Sequence, residues 1–344
     1  MAEMPLRPTF HRHATASALP LCALLAFGLG SCLAQTTPAI RVDVNVVTVP
    51  VTVSDARGDF VGGLHRENFR LSVDGETQPI DYFAAEEEPA QVLLLVETGP
   101  AVYLLRDEHF FAAAALLDGL APADHVAVAS YEQAPQLLAD FSANKQVAAG
   151  ALSSLVFGFG MAQLNFYSSL AQSLDWLANA PGKHAIVALT TGIDSSASTS
   201  WQPLAQKLQR SNVMVLPVAL GGELRKPGVP RKLRNSAGSP NGQAFADVSA
   251  QFAEFDRALA AIAEETGGRM YSPESPAEFD RAYRQIASLL RHEYSLGFNA
   301  RAQDGQYHRI EVELVDSRGE PFNKSPKNPE YRWNSRRGFL ARLP

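Results

Sequence analysis

Between residues 41 and 55, "RVDVNVVTVPVTVSD", apolar and polar positions alternate and valine recurs on one side. A period of two is that of a strand with one face buried. "ARGDFVGG" breaks the pattern as a turn. "NFRLSVDGE" then predicts a strand closed by an Asp-Gly turn, and "QPIDYFAAE" predicts another strand. Residues 40–88 thus predict a small β module, ended by the charged run Glu86-Glu87-Glu88 and Pro89.

The rhythm changes at "QVLLLVE" (91–97), a continuous apolar run of the kind expected for a strand covered on both faces. Strands and helices alternate from there. Helical spacing spans 103–120, and a strand over 124–132 is extended by "LLADFS" as a hairpin. "VAAGALSSL" and 166–180 predict helices, 183–192 a strand, "WQPLAQKLQRS" a helix and 212–220 a strand. A helix over 252–268, a short strand at "RMYSP" and a helix over 276–293 complete the series. This alternation implies parallel βαβ units, so residues 89–292 predict an α/β core with helices on both faces of its sheet. "YSLGFNA", "YHRIEVELVDS" and "RRGFLARL" return to strand patterns. Residues 293–344 are therefore expected to pack with the N-terminal module, the two ends of the chain meeting in one β layer.

Residues 221–250 are rich in Gly, Pro, Ser and cations and predict one long loop. Loops of that length are functional or disordered. Its cluster of Arg225, Lys226, Arg231, Lys232 and Arg234 suits an anionic partner.

Composition changes this picture little. The chain has 344 residues, 46% of them hydrophobic and 19% charged, as in an ordinary globular protein. A net charge of −6 argues against nucleic acid as a partner. Residues 1–34 stand apart: Arg7 and Arg12 precede an apolar stretch from Ala14 to Gly30, followed by small residues in "SCLAQ". That is the layout of a signal peptide, implying export to the periplasm, the envelope or the medium. Leu29-Gly30-Ser31-Cys32 resembles a lipobox, which would place a lipid anchor on Cys32; the rival cleavage point follows Ala34. No later run reaches about 18 apolar residues, so no span is expected in the mature chain. Both cysteines, Cys22 and Cys32, lie in this leading segment, which leaves the rest without disulfides.

Signatures of chemistry are mostly missing. The sequence holds no G-x-x-x-x-G-K-[ST], no H-E-x-x-H and no G-x-S-x-G. Gly158-Phe159-Gly160 lacks the third glycine of a dinucleotide loop, and the histidines are scattered without an i,i+4 pair. No enzymatic activity is expected. Attention falls instead on the loop "ETGPA" that ends the 91–97 strand, because open α/β sheets bind ligands at the carboxyl ends of their strands.

Here the residues carry a resemblance. The module from "VDVNVVTVPVTVSD" to "QPIDYF", then "AEETGGRMYSP", "LRHEYSLGFNA" and a terminal "RRGF" resemble exported von Willebrand factor type A-related proteins of the acidobacterial kind, over residues 40 to about 340. The resemblance implies a mostly parallel central sheet between helices, and an adhesion or protein-interaction role. It also implies a metal-ion-dependent adhesion site: D-x-S-x-S after the first core strand, a threonine in a second loop and an aspartate after a later strand. Such hydroxyls and carboxylates are hard oxygen ligands suited to Mg²⁺.

Carried over residue by residue, that set is degraded. Glu97 stands at the aspartate position, Gly99 and Ala101 at the serines, Leu164 at the threonine and Thr191, in "LTTGID", at the final aspartate. The expectation is a type A domain that has lost its metal, with no cofactor and an unidentified protein partner. Thr98, Ser195, Ser196, Arg225, Lys226, Arg231 and Lys232 are the partner-binding candidates. Two alternatives stay open: a metal-dependent adhesion domain with Glu97, Thr191 and Asp194 as substitute ligands, and a hydrolase using Glu97 and Asp194 as a carboxylate pair.

Overall fold

Valines 47, 49, 51 and 53 point into one core from β1 (Val46–Ser54), as the two-residue period dictates. The structure, a computed structural model, describes residues 46–57, 59–85, 89–99, 106–158, 163–178, 180, 182–195, 200–221, 240–322 and 330–343, with backbone alone over 106–112 and 240–250. The leading segment with Cys32, the position of Ala101 and the cations at 225–234 lie outside the described residues.

After β1 come β2 (Phe69–Val73), β3 (Glu76–Gln78) and β4 (Tyr82–Ala85). The core follows with β5 (Ala90–Glu97), α1 (Arg106–Gly119), β6 (His125–Tyr131), β7 (Pro135–Ser142), α2 (Lys145–Ser153), α3 (Phe166–Leu177), β8 (Lys183–Thr190), α4 (Trp201–Arg210), β9 (Val213–Ala219), α5 (Pro240–Thr266) and α6 (Pro276–Arg291). The chain then returns to β10 (Tyr294–Asn299), β11 (Tyr307–Leu314), β12 (Arg332–Ser335) and β13 (Gly338–Leu340).

The core sheet runs β7-β6-β5-β8-β9. β5 sits in the middle, parallel to both β6 and β8, and β9 is parallel to β8; only the hairpin strand β7 is antiparallel. All eight residues of β5 are buried. Alternate side chains of β5 enter two different cores: Val92, Leu94 and Val96 meet α1, α2 and α6, while Leu93 and Leu95 meet α3, α4 and α5. A strand in that position can carry no solvent-facing polar side, which is why residues 92–96 run uninterrupted apolar between Gln91 and Glu97. The α/β class expected from the alternation is the class the chain adopts.

Three features differ from the sequence pattern. The flanking strands form two sheets, not one: β12-β1-β10-β4 and β13-β11-β2-β3. β1 and β10 in one sheet and β2, β11 and β13 in the other turn apolar side chains inward, and the two sheets bury them against each other in one shared core. Secondly, the loop predicted to reach residue 250 ends earlier, because α5 is helical from Pro240. Proline lacks an N–H and has a helical φ, so it fits a first helical turn, and growth from an existing helix is easier than nucleation. Thirdly, "RMYSP" contributes only a single bridge, Tyr271 to Val218, where a strand was predicted.

One residue of the "RRGF" stretch joins the sandwich to the core. Arg336 is 2% exposed. Its guanidinium donates to the carbonyls of Gly338 (2.9 Å), Ser211 (3.0 Å), Gln209 (2.8 Å) and Thr48 (3.3 Å). Gln209 and Ser211 end α4, whose last carbonyls have no partner within the helix. Burial pulls the Arg336 pKa down to about 10, so the group stays charged at neutral pH.

Candidate functional site

Three parallel strands end side by side at the carboxyl edge of the core sheet. Register places Glu97, the last residue of β5, directly beside Tyr131, the last of β6. On the other side β8 ends at Thr190, followed by Thr191. These four side chains form one sealed cluster: Glu97 and Thr190 are 0% exposed, Tyr131 1% and Thr191 3%.

Both oxygens of Glu97 are engaged. Oε2 accepts from Tyr131 Oη at 2.9 Å, from the Thr191 amide at 2.7 Å and from Thr190 Oγ1 at 3.2 Å. Thr191 Oγ1 lies 2.9 Å from each carboxyl oxygen. Thr190 Oγ1 also sits 2.7 Å from Tyr131 Oη and accepts from the Gly192 amide at 2.9 Å. The ring of Tyr131 packs on Phe166 at the start of α3. Burial raises the Glu97 pKa above its ordinary value, and the hydrogen bonds from Thr191, Tyr131 and Thr190 oppose that rise. Burial, then the charge of Glu97, drives the Tyr131 pKa well up. Tyr131 thus acts as a fixed hydrogen-bond donor.

The neighbouring loops close over this cluster. Leu164 is buried, and a Cβ placed on Gly99 would lie 2.9 Å from its Cδ2. Glycine at one position and leucine at the other are therefore a matched pair: the side chain that Gly99 lacks leaves room for Leu164. Thr98 turns its hydroxyl inward, donating to the Tyr131 carbonyl at 3.2 Å.

Asp194 and Ser195 join the 191–195 segment to the start of α3. An antiparallel bridge links Asn165 to Asp194, and the Ser195 amide donates to the Leu164 carbonyl at 2.8 Å. Ser195 Oγ in turn accepts from the Leu164 amide at 2.8 Å. Asp194 Oδ2 accepts from the Tyr167 amide at 2.7 Å, in the first turn of α3. The residue at the helix's own N-cap, Asn165, makes no side-chain cap, so a carboxylate from across the edge serves there instead.

The structure thus brings together Glu97, Gly99, Leu164 and Thr191, and it places Thr98, Asp194 and Ser195 around them in structural hydrogen bonds. Ala101, Ser196, Arg225, Lys226, Arg231 and Lys232 lie outside the described residues. Two members escaped the sequence pattern, Tyr131 and Thr190. The available signal was that each ends a strand flanking β5, so aligning strand ends would have put both beside Glu97. Among the described residues, no group of three or more His, Cys, Asp or Glu side chains is arranged to hold a metal ion, and no helix is long and apolar enough to cross a membrane.

A mostly parallel sheet between two helix layers, a sealed polar cluster at its carboxyl edge and a β sandwich from the flanking segments define the class of protein. Solved structures similar to it include von Willebrand factor type A domains. An aerotolerance-related membrane protein from Bacteroides fragilis NCTC 9343 matches at 13% identity and a TM-score of 0.41, over 58% of this chain and 98% of that one. BatB, a conserved hypothetical protein from Bacteroides thetaiotaomicron, matches at 11% identity and a TM-score of 0.38, over 58% and 98%. A von Willebrand factor type A protein from Catenulispora acidiphila matches at 12% identity and a TM-score of 0.42, over 88% of this chain and 75% of that one. At such identities and scores nothing about the activities of those proteins follows for this chain. No protein-family model and no curated protein matches the sequence.

Proposed function

We propose that this chain is an exported, non-enzymatic protein-interaction or adhesion module whose α/β core works without a divalent cation. The observation that carries the reading is Glu97: 0% exposed, with both oxygens taken by Tyr131, Thr190 and Thr191. Mg²⁺ demands near-octahedral oxygen ligands and gives up water reluctantly. Gly99 brings no side-chain oxygen to this edge and Leu164 brings an apolar cap, so the donor set does not fit such an ion. The burial of Glu97 also withdraws one member of the Glu97–Asp194 pair from any substrate. Export rests on the signal-like segment 1–34, and attachment to the envelope on the lipobox-like Cys32.

A thermal-shift titration with Mg²⁺ and Mn²⁺ tests this. An ion that binds only the folded state must raise the melting temperature. The expected result is no shift up to millimolar metal. A saturable rise abolished by Thr191→Val would overturn the reading in favour of a metal site with substitute ligands.

A further inference from the structure

At the opposite end of the core sheet from Glu97, where β8 and β9 begin, the surface opens into a hollow of about 550 Å³. Its apolar lining includes Leu174, Pro203 and Val213, and its cations are Lys207, Arg210 and Arg342. A smaller hollow of about 160 Å³ shares Arg210 and Arg342 with it and extends the cleft to Arg336.

Cations in the last turn of a helix ordinarily serve its C-terminal carbonyls. For α4 that duty is already met, since Arg336 donates to the carbonyls of Gln209 and Ser211. Lys207 is committed to Asp175 at 2.6 Å. Arg210 and Arg342 remain, both exposed, reaching the cleft from separate parts of the chain, and among the described residues neither has an ion-pair partner. Behind them the buried Arg336 is bonded to carbonyls, and the Glu265 carboxylate acts on it through space without a hydrogen bond. The chain as a whole carries −6, so this cleft is a local inversion of sign. Asp175 also lines the hollow but is paired with Lys207, so the excess charge there is positive, and excess charge on a concave wall concentrates counter-charge from solution.

We infer that this cleft binds an acidic peptide segment of a protein partner. Its Glu or Asp carboxylates pair with the guanidinium forks of Arg210 and Arg342, and an apolar side chain fills the hollow beside Leu174 and Val213. Guanidinium suits the task because its planar fork meets a carboxylate through two parallel hydrogen bonds. The inference rests on the reading of the chain as an interaction module, but uses the edge of the sheet opposite the sealed cluster.

The probe is a fluorescein-labelled peptide of alternating Glu and Leu, with a Gln-for-Glu counterpart, titrated against the full chain by fluorescence anisotropy. The Glu peptide is expected to bind saturably, to weaken as salt rises and to exceed its Gln counterpart by at least about tenfold. Arg210→Glu combined with Arg342→Glu should weaken it by at least about tenfold at unchanged melting temperature, since both side chains are exposed. Arg225→Glu with Lys226→Glu, in the basic 221–250 segment, should leave binding within about twofold. Equal binding of the two peptides, full binding by the cleft variant, or a loss carried by the segment variant overturns the inference. Any of those results leaves the proposal of a metal-free interaction module standing, because the metal titration tests that separately.

Discussion

Glu97 is a carboxyl group in a place where charge is costly. Neutral donors surround it and no cation is bonded to it among the described residues, so burial outweighs the hydrogen bonds and its pKa rises above the ordinary 4.5. The folded state then holds the proton more tightly than the unfolded chain does. Protonation of Glu97 therefore adds stability that is complete below about 4.5 and fades as pH rises through the raised folded value. The melting temperature of the parent should fall across that window, and Glu97→Gln, which has no proton to titrate, should lack that component of the slope. Parallel profiles for parent and variant would contradict the placement of Glu97. Its neighbours follow the same logic of mutual fit. Gly99 leaves the space Leu164 fills, and Thr98 spends its hydroxyl on the Tyr131 carbonyl.

Among the elements, α3 depends most visibly on a residue outside itself. Its N-cap Asn165 makes no side-chain cap, and Asp194 supplies the acceptor for the Tyr167 amide at 2.7 Å. Asp194→Ala should cost about 1 kcal/mol, the usual loss for a removed cap, seen as a lower urea midpoint with the slope unchanged. An unaltered midpoint would count against the capping role. At this scale the sequence was most readable. The apolar run in "QVLLLVE" became the strand covered on both sides that it predicts, and the helical spacing of 166–180 and 276–293 carried through to α3 and α6, each ending a few residues earlier. The start of α5 was not readable, because Pro240-Asn241-Gly242 looks like a turn until a helix to continue from is in place.

Across the whole molecule, the sandwich and the core are joined by Arg336, buried among the carbonyls of Thr48, Gln209, Ser211 and Gly338. Removing it strands those carbonyls without partners, and an unmade buried hydrogen bond costs its full desolvation. Arg336→Met should lower stability by about 3 kcal/mol, and Arg336→Lys should recover only part, because a point charge cannot fork to several carbonyls. Urea unfolding followed by tryptophan fluorescence reads this, with Trp333 reporting on the sandwich and Trp176 and Trp201 on the core. A loss below about 1 kcal/mol for Met would show that Arg336 is not the joint.

By itself the sequence determined the alternation of strands and helices, hence the α/β class, and it located the loop after residue 97 as the edge to examine. Hydrophobic period is a local property, and it survives into the fold because each element must bury one face or both. What surrounds Glu97 was decided only in three dimensions. Tyr131 and Thr190 stand 34 and 93 positions away in the chain and meet the carboxyl through strand register. The same holds for the second sheet of the sandwich and for the buried guanidinium of Arg336: pairing, register and burial depend on which strands become neighbours, and no local pattern specifies that.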